Sequence, residues 1–156
     1  MVKKVFKIAL IVLASAFVVA QFIRPTMTNP PENPSDTLES STKVPPDVEA
    51  IFTRSCADCH SNRTIYPWYS YISPVSWLLA NDINDGRKEL NLSTWNTTDT
   101  KRKVRKLDKI CEEVQDGEMP LPKYLWIHRN AKLSQNDINT LCTWTDGEKK
   151  RLDPGE

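Results

Sequence analysis

The sequence predicts an all-α fold. Apolar residues recur at three- and four-residue spacing through its second half, each such stretch is bounded by helix start and stop signals, and nothing alternates convincingly at period two. With 156 residues the chain can hold one domain and a few dozen residues besides.

The first 24 residues read as a targeting or anchoring segment. Lys3, Lys4 and Lys7 form a positive start, and residues 8–23 carry no charge. Residues 5–23 are 19 in number, a length that suits an uncleaved transmembrane anchor. Ala14-Ser15-Ala16 and Val18-Val19-Ala20 leave a cleaved export signal as the alternative. In both cases the lysines stay in the cytoplasm and the body is exported, placing it on the periplasmic side of a bacterial inner membrane.

Residues 25–44 follow as a linker. Six of the eleven prolines fall between positions 25 and 46, with Ser, Thr and Asn among them and few apolar side chains. Such a composition predicts an extended spacer without a core of its own.

The folded domain is expected over residues 45–150. Pro46 suits a first helical position, and Val48, Ile51 and Phe52 form a short apolar stripe leading to Cys56. Ser73-Pro74 reads as an N-cap with proline at N1, opening a helix through Val75, Trp77, Leu78 and Ile83 to a stop at Gly86. A third helix is expected over residues 98–116, with Val104, Leu107, Ile110, Cys111 and Val114 on one face and Gly117 as its end. The last runs from Ser134 to about Lys150. Ser134 and Asp137 have capping-box spacing there, and Leu133 can staple onto Ile138. Residues 151–156 read as a disordered tail.

Charge excludes little except nucleic acid as the main partner. Setting aside Lys3, Lys4, Lys7 and Arg24 leaves 17 basic against 20 acidic side chains, a mildly acidic body. The basic run Lys101-Arg102-Lys103 with Arg105 and Lys106 starts the third helix, and Glu112, Glu113 and Asp116 end it. That order opposes the helix dipole. It reads either as a solvated face or as a docking face for an acidic redox partner.

The chemistry concentrates in Cys56-Ala57-Asp58-Cys59-His60. This is C-x-x-C-H, the attachment signature of c-type haem. Two thiols one helical turn apart can each add to a vinyl group on the porphyrin edge, and the adjacent histidine is then carried under the iron as proximal ligand. A thioredoxin-type dithiol would want a βαβ setting, and a structural zinc site would want a second, similarly spaced pair. Neither is present. A plain disulfide leaves His60 unexplained. The expected cofactor is therefore one haem c per chain, its iron on His60.

A porphyrin is a flat apolar plate that needs walls. The aromatics that follow the motif, Tyr66, Trp68, Tyr69, Tyr71 and Trp77, are candidates for them, with Tyr66, Trp68 and Trp77 foremost; the alternative is that they are ordinary core residues. For the distal iron position the candidate is Met119, in Gly117-Glu118-Met119-Pro120. A methionine followed by proline on a stiff loop is similar to the distal-ligand segment of class I cytochromes c. His128 is the alternative.

Taken together, these segments resemble a family of small bacterial single-haem proteins, the haem-binding domain family, cytochrome c-like in character. The resemblance runs from about Gln21 to Trp144. It rests on Gln21-Phe22-Ile23-Arg24-Pro25, Cys59-His60-Ser61-Asn62, Tyr66-Pro67-Trp68-Tyr69 and Pro74-Val75-Ser76-Trp77. It continues in Gly86-Arg87 with Glu89-Leu90-Asn91, in Gly117-Glu118-Met119-Pro120, and in His128 with Ala131, Leu133 and Ser134. It implies covalent haem at Cys56 and Cys59, iron on His60, and a class I helical domain outside the inner membrane. Two departures stand out. Asp82 occupies a place where relatives often have histidine, and Cys111 and Cys142 lie outside the pattern, paired as a disulfide or left as two buried thiols.

The functional expectation is a membrane-tethered or periplasmic one-electron carrier with an unidentified redox partner. The alternative is a haem-based sensor or small-molecule binder whose distal ligand is open or displaceable. An enzyme is not expected, because peroxidase chemistry wants an open iron with acid–base groups beside it and the Met119 segment offers only Glu118.

Overall fold

The computed structural model describes residues 1–153. Among them every regular element is helical. The α-helices are α1 (Val2–Ala20), α2 (Leu38–Ser41), α3 (Pro46–Ser55), α4 (Ala57–His60), α5 (Val75–Glu89), α6 (Thr100–Gln115), α7 (Pro122–Leu125) and α8 (Gln135–Leu152), joined by loops and short 3-10 turns. Two compact units form, one from Met1–Thr28 with Ile65–Asp85, the other from Asn29–Thr64 with Gly86 onward.

In the first unit the residues after α1 are held to the aromatic loop by backbone recognition. Gln21 both donates to the Ser73 carbonyl (3.0 Å) and accepts from the Ser73 amide (3.1 Å). The Trp77 indole donates to the Ile23 carbonyl (2.7 Å), and the Tyr66 hydroxyl to that of Thr28 (3.0 Å). The helix α1 itself corrects the expectation of a spanning anchor. Among the described residues no helix is long and apolar enough to cross a membrane. Lys3, Lys4 and Lys7 occupy its first turns, so its charge-free part is residues 8–20. At about 1.5 Å per residue that is roughly 20 Å, short of the ~30 Å hydrocarbon core.

The second unit holds the core, where α3, α6 and α8 bury Val48, Ile51, Phe52, Leu107, Val114, Leu141 and Trp144. Phe52 meets Trp144 edge to face at 5.4 Å. The termini of these helices follow the local signals. Pro46 opens α3, Asp99 caps α6 by accepting from the Arg102 amide, and Gly117 leaves α6 at φ +74°, a conformation that glycine adopts without strain. Ser134 and Asp137 form the full capping box of α8. Cys111 and Cys142 are disulfide-bonded, tying α6 to α8.

Three boundaries differ from expectation. The linker is not a free spacer from residue 29 onward: Leu38 is 2% exposed within the core, and Thr37 and Thr42 are buried. Polar groups fasten the rest, with Asn29 donating to the Thr64 carbonyl and the Glu32 carboxylate accepting from Arg63 and from the Ser93 hydroxyl. Composition missed this because a single leucine held by non-local partners makes no periodic signal. Helix α5 runs through Gly86 to Glu89, since that glycine serves close packing rather than termination. Finally, α8 continues through Leu152, into the stretch expected as a tail, of which residues 154–156 lie outside the described part.

Candidate haem site

The C-x-x-C-H motif occupies the junction of α3 and α4. The amides of Cys59 and His60 both donate to the Cys56 carbonyl, at 3.2 and 2.9 Å, making one tight turn. The C-terminal end of α5 lies against it. A Cβ on Gly86 would come within 2.8 Å of the Cys59 carbonyl oxygen, so only glycine permits this approach. The approach brings two carbonyls to His60, whose Nδ1 lies 2.9 Å from the Gly86 oxygen and 3.0 Å from that of Leu90. Carbonyls only accept, so Nδ1 carries the proton and Nε2 keeps its lone pair. Burial holds His60 below the ordinary imidazole range. The two carbonyls oppose that shift, and Lys106 nearby reinforces it.

Behind this turn residues of the motifs that carry the resemblance converge. Arg87 donates to the Ser61 carbonyl (2.8 Å), the Asn29 side chain (2.8 Å) and the Thr64 hydroxyl (2.9 Å). Asn91 donates to the Asn62 side chain (3.0 Å), and the Asn62 amide to the Ser93 hydroxyl (2.9 Å). Ser61-Asn62, Gly86-Arg87 and Leu90-Asn91 are thus one support for the histidine.

Across from it opens a cavity of about 560 Å³ within the second unit. Cys56, His60 and Phe52 line one part, Leu90 and Leu141 another, and the face of α6 from Arg102 to Val114 forms a wall that ends in Met119 and Pro120. The Glu118 and Met119 amides both donate to the Glu113 carbonyl, at 3.0 and 3.1 Å, which holds the methionine to the end of α6. Neither Cys56 nor Cys59 is in a disulfide. Burial, with Cys59 beside it, pushes the Cys56 thiol up to about 12, so it stays protonated at neutral pH.

Residues 15–147 match the haem-binding domain family. The chain belongs to that family. No curated protein and no solved structure matches it.

The residues of this haem-binding domain suit the group. Its cavity is walled largely by apolar side chains, holds an imidazole with its Nε2 lone pair kept, a thiol and a thioether, and carries several cations among its lining. Among the described residues no group of three or more His, Cys, Asp or Glu gathers as a separate metal site.

The sequence-predicted residues divide. Cys56, His60 and Met119 come together around the cavity, and Cys59 sits one turn along, under Gly86. His128 is not among the lining residues; it stacks on Tyr124 at 4.1 Å, and Tyr124 donates to Asp58 (2.8 Å). Tyr66, Trp68 and Trp77 do not line the cavity either. They belong to the first unit, where Tyr66 and Trp77 spend their polar atoms on the Thr28 and Ile23 carbonyls and Trp68 is 76% exposed. The basic run is largely solvated, with Lys101, Arg102 and Arg105 exposed, but it is not uniform: Arg102, Arg105 and Lys106, with Lys109, line the cavity, while Lys103 is buried against Trp95 and Asn96. Their i, i+3, i+4, i+7 spacing was the available signal, since it puts them on one helix face with Ile110 and Val114.

Proposed function

We propose that the protein is a c-type cytochrome of class I character, acting as a one-electron carrier. Haem is bound through thioethers at Cys56 and Cys59, with His60 as proximal and Met119 as distal iron ligand. The observation that carries this reading is that Cys56, His60 and Met119 line one largely apolar cavity.

Each residue has a definite task. Cys56 and Cys59 would hold the group covalently, each thiol being able to add across a porphyrin vinyl group, sulfur to one carbon and hydrogen to the other, with no external oxidant or reductant. The carbonyls of Gly86 and Leu90 hold the His60 ring in the tautomer that offers Nε2. Pro120 and the Glu113 carbonyl restrict the Met119 loop. Phe52, Leu90, Ile110 and Leu141 exclude water. Haem when bound supplies a one-electron redox centre, tuned by its axial ligands and burial.

The proposal includes export. Three lysines followed by an apolar helical stretch suit an export signal, and the Cys111–Cys142 disulfide suits an oxidising compartment.

The test is expression with a c-type haem assembly system. Mass measured after denaturation should show haem retained on the chain, and Cys56→Ser with Cys59→Ser should abolish it. The oxidised protein should show a weak far-red sulfur-to-iron band that Met119→Ala removes. Haem lost on denaturation overturns the c-type reading. A far-red region that Met119→Ala leaves unchanged overturns Met119 ligation, and with it the carrier.

A further inference from the structure

Helix α6 brings four cations to the cavity, at positions 102, 105, 106 and 109. The helix dipole does not call for them, because Arg102 in the first turn opposes it and positions 105, 106 and 109 lie short of the C-terminal turn where cations are favoured. Core formation does not either, because Arg102, Arg105 and Lys109 are exposed and the apolar part of this wall is Ile110 and Val114. Two acids, Glu89 and Glu113, also line the cavity, so the cations outnumber them.

The commitments of the four differ. Lys106 donates to the Glu89 carbonyl, at the end of α5. Arg102 pairs with Asp99 (3.2 Å), and Lys109 with Glu112 (2.9 Å) and Glu113 (3.7 Å). Those pairs are exposed, hold little free energy and exchange readily. Arg105 has no hydrogen-bond or ion-pair partner among the described residues. An unpaired guanidinium at the edge of an apolar cavity, flanked by two weakly engaged cations on the same helix face, is a place for a carboxylate, which guanidinium can grip with two parallel bonds.

We propose that Arg105, with Arg102 and Lys109 on either side, binds the two propionate carboxylates of the haem. This rests on haem occupying the cavity. From Arg102 to Lys109 the axial rise is about 10 Å, a row that can serve two carboxylates on one porphyrin edge. Glu113 repels carboxylates from the Met119 end of the wall, so the propionates lie toward the N-terminal half of α6. The basic run thereby gains an internal ligand in place of an acidic protein partner.

The experiment compares haem-loaded Arg105→Gln, Arg105→Lys and Lys101→Gln by equilibrium redox titration. Lys101 is on the same helix and exposed but does not line the cavity, so its substitution removes the same charge without touching the site. Loss of the cation beside a propionate leaves that anion unneutralised near the iron and favours the oxidised form. Arg105→Gln should shift the oxidised-to-reduced ratio about tenfold, or about 59 mV lower. Lys101→Gln should shift it far less, and Arg105→Lys should recover most of the wild-type value. If Arg105→Gln fails to load haem while the other two load, that loss supports the same conclusion. If both Arg105 variants fail to load, Arg102→Gln and Lys109→Gln carry the comparison with Lys101→Gln. Equal potentials for Arg105→Gln and Lys101→Gln overturn the proposal and return the run to a docking role. A wild-type chain that takes up no haem instead overturns the reading of the cavity itself.

Discussion

Replacing Gly86 by alanine should loosen the haem site even though alanine is the better helix former. Gly86 lies inside α5, where the substitution alone would gain about 1 kcal/mol. The added methyl, however, would meet backbone: 2.8 Å from the Cys59 oxygen, 3.2 Å from its carbonyl carbon and 3.3 Å from its Cβ. Ordinary contact begins near 3.4 Å, so α5 and the motif turn must part by about 0.6 Å. Overpacking of this kind costs roughly 1–3 kcal/mol. The same separation stretches the His60 bonds, now 2.9 and 3.0 Å, to the edge of hydrogen bonding, at a further cost of about 1 kcal/mol. The balance is a net loss of about 1–3 kcal/mol, or roughly 2–12 °C in Tm for a chain of this size. Gly147 provides the control. It lies within α8 with nothing inside 4 Å of an added Cβ, so Gly147→Ala should raise Tm by roughly 2–4 °C. Thermal unfolding followed by circular dichroism on the haem-loaded protein reads both. A Gly86→Ala protein that gains stability as Gly147→Ala does would refute the close approach of α5 to the motif.

Two further outcomes follow from the second unit. The Cys111–Cys142 bond closes a sequence separation of 31, for which chain entropy gives about 4 kcal/mol; reductant, or Ser at both positions, should lower the urea midpoint accordingly, and an unchanged midpoint would count against that bond. Ser134→Ala should cost about 1 kcal/mol through loss of the α8 cap. Its pH dependence has a definite sign. The Ser134 amide and hydroxyl hold the Asp137 carboxyl below its ordinary 3.8, assisted by Arg54 against a small burial effect. The folded value is depressed, so this contribution is complete above pH 3.8 and fades as pH falls through the folded value. In the variant the backbone amide at position 134 keeps its own bond to the carboxylate, so the stability gap between wild type and Ser134→Ala reads the hydroxyl's share. That gap should narrow below about pH 4, and a constant gap would exclude the hydroxyl–carboxylate contact from the cap.

What was legible in the sequence was local. Pro46, Asp99, Gly117 and the Ser134–Asp137 pair mark helix ends through contacts within a turn, so they can be read from neighbours alone. The C-x-x-C-H run and Met119-Pro120 can be picked out for the same reason, and the structure brings Cys56, His60, Met119 and Pro120 to one cavity, with Cys59 one turn away under Gly86. The rest depended on distance. Leu38 gains its burial from residues far along the chain, and nothing near it shows that. Tyr66 and Trp77 have the right chemistry for a haem wall, but their hydroxyl and indole are drawn to carbonyls some forty to fifty residues upstream. Arg105 is solvated as its charge suggests, but that the helix face it shares with Ile110 looks into a cavity depends on elements far along the chain.

The proline-rich stretch has a consequence for how partners are met. The carbonyls of Thr28, Pro31 and Ser35 accept from Tyr66, Asn62 and Asn96, and Asn29 and Glu32 are engaged between them. From Asn29 to Ser35 the segment is thus fastened within the second unit at short intervals. Flexible tethers can hold two reactants at millimolar effective concentration, a benefit set by linker length and slack. Residues 29–35 add no such slack, so the length of free tether is shorter than the proline content suggests.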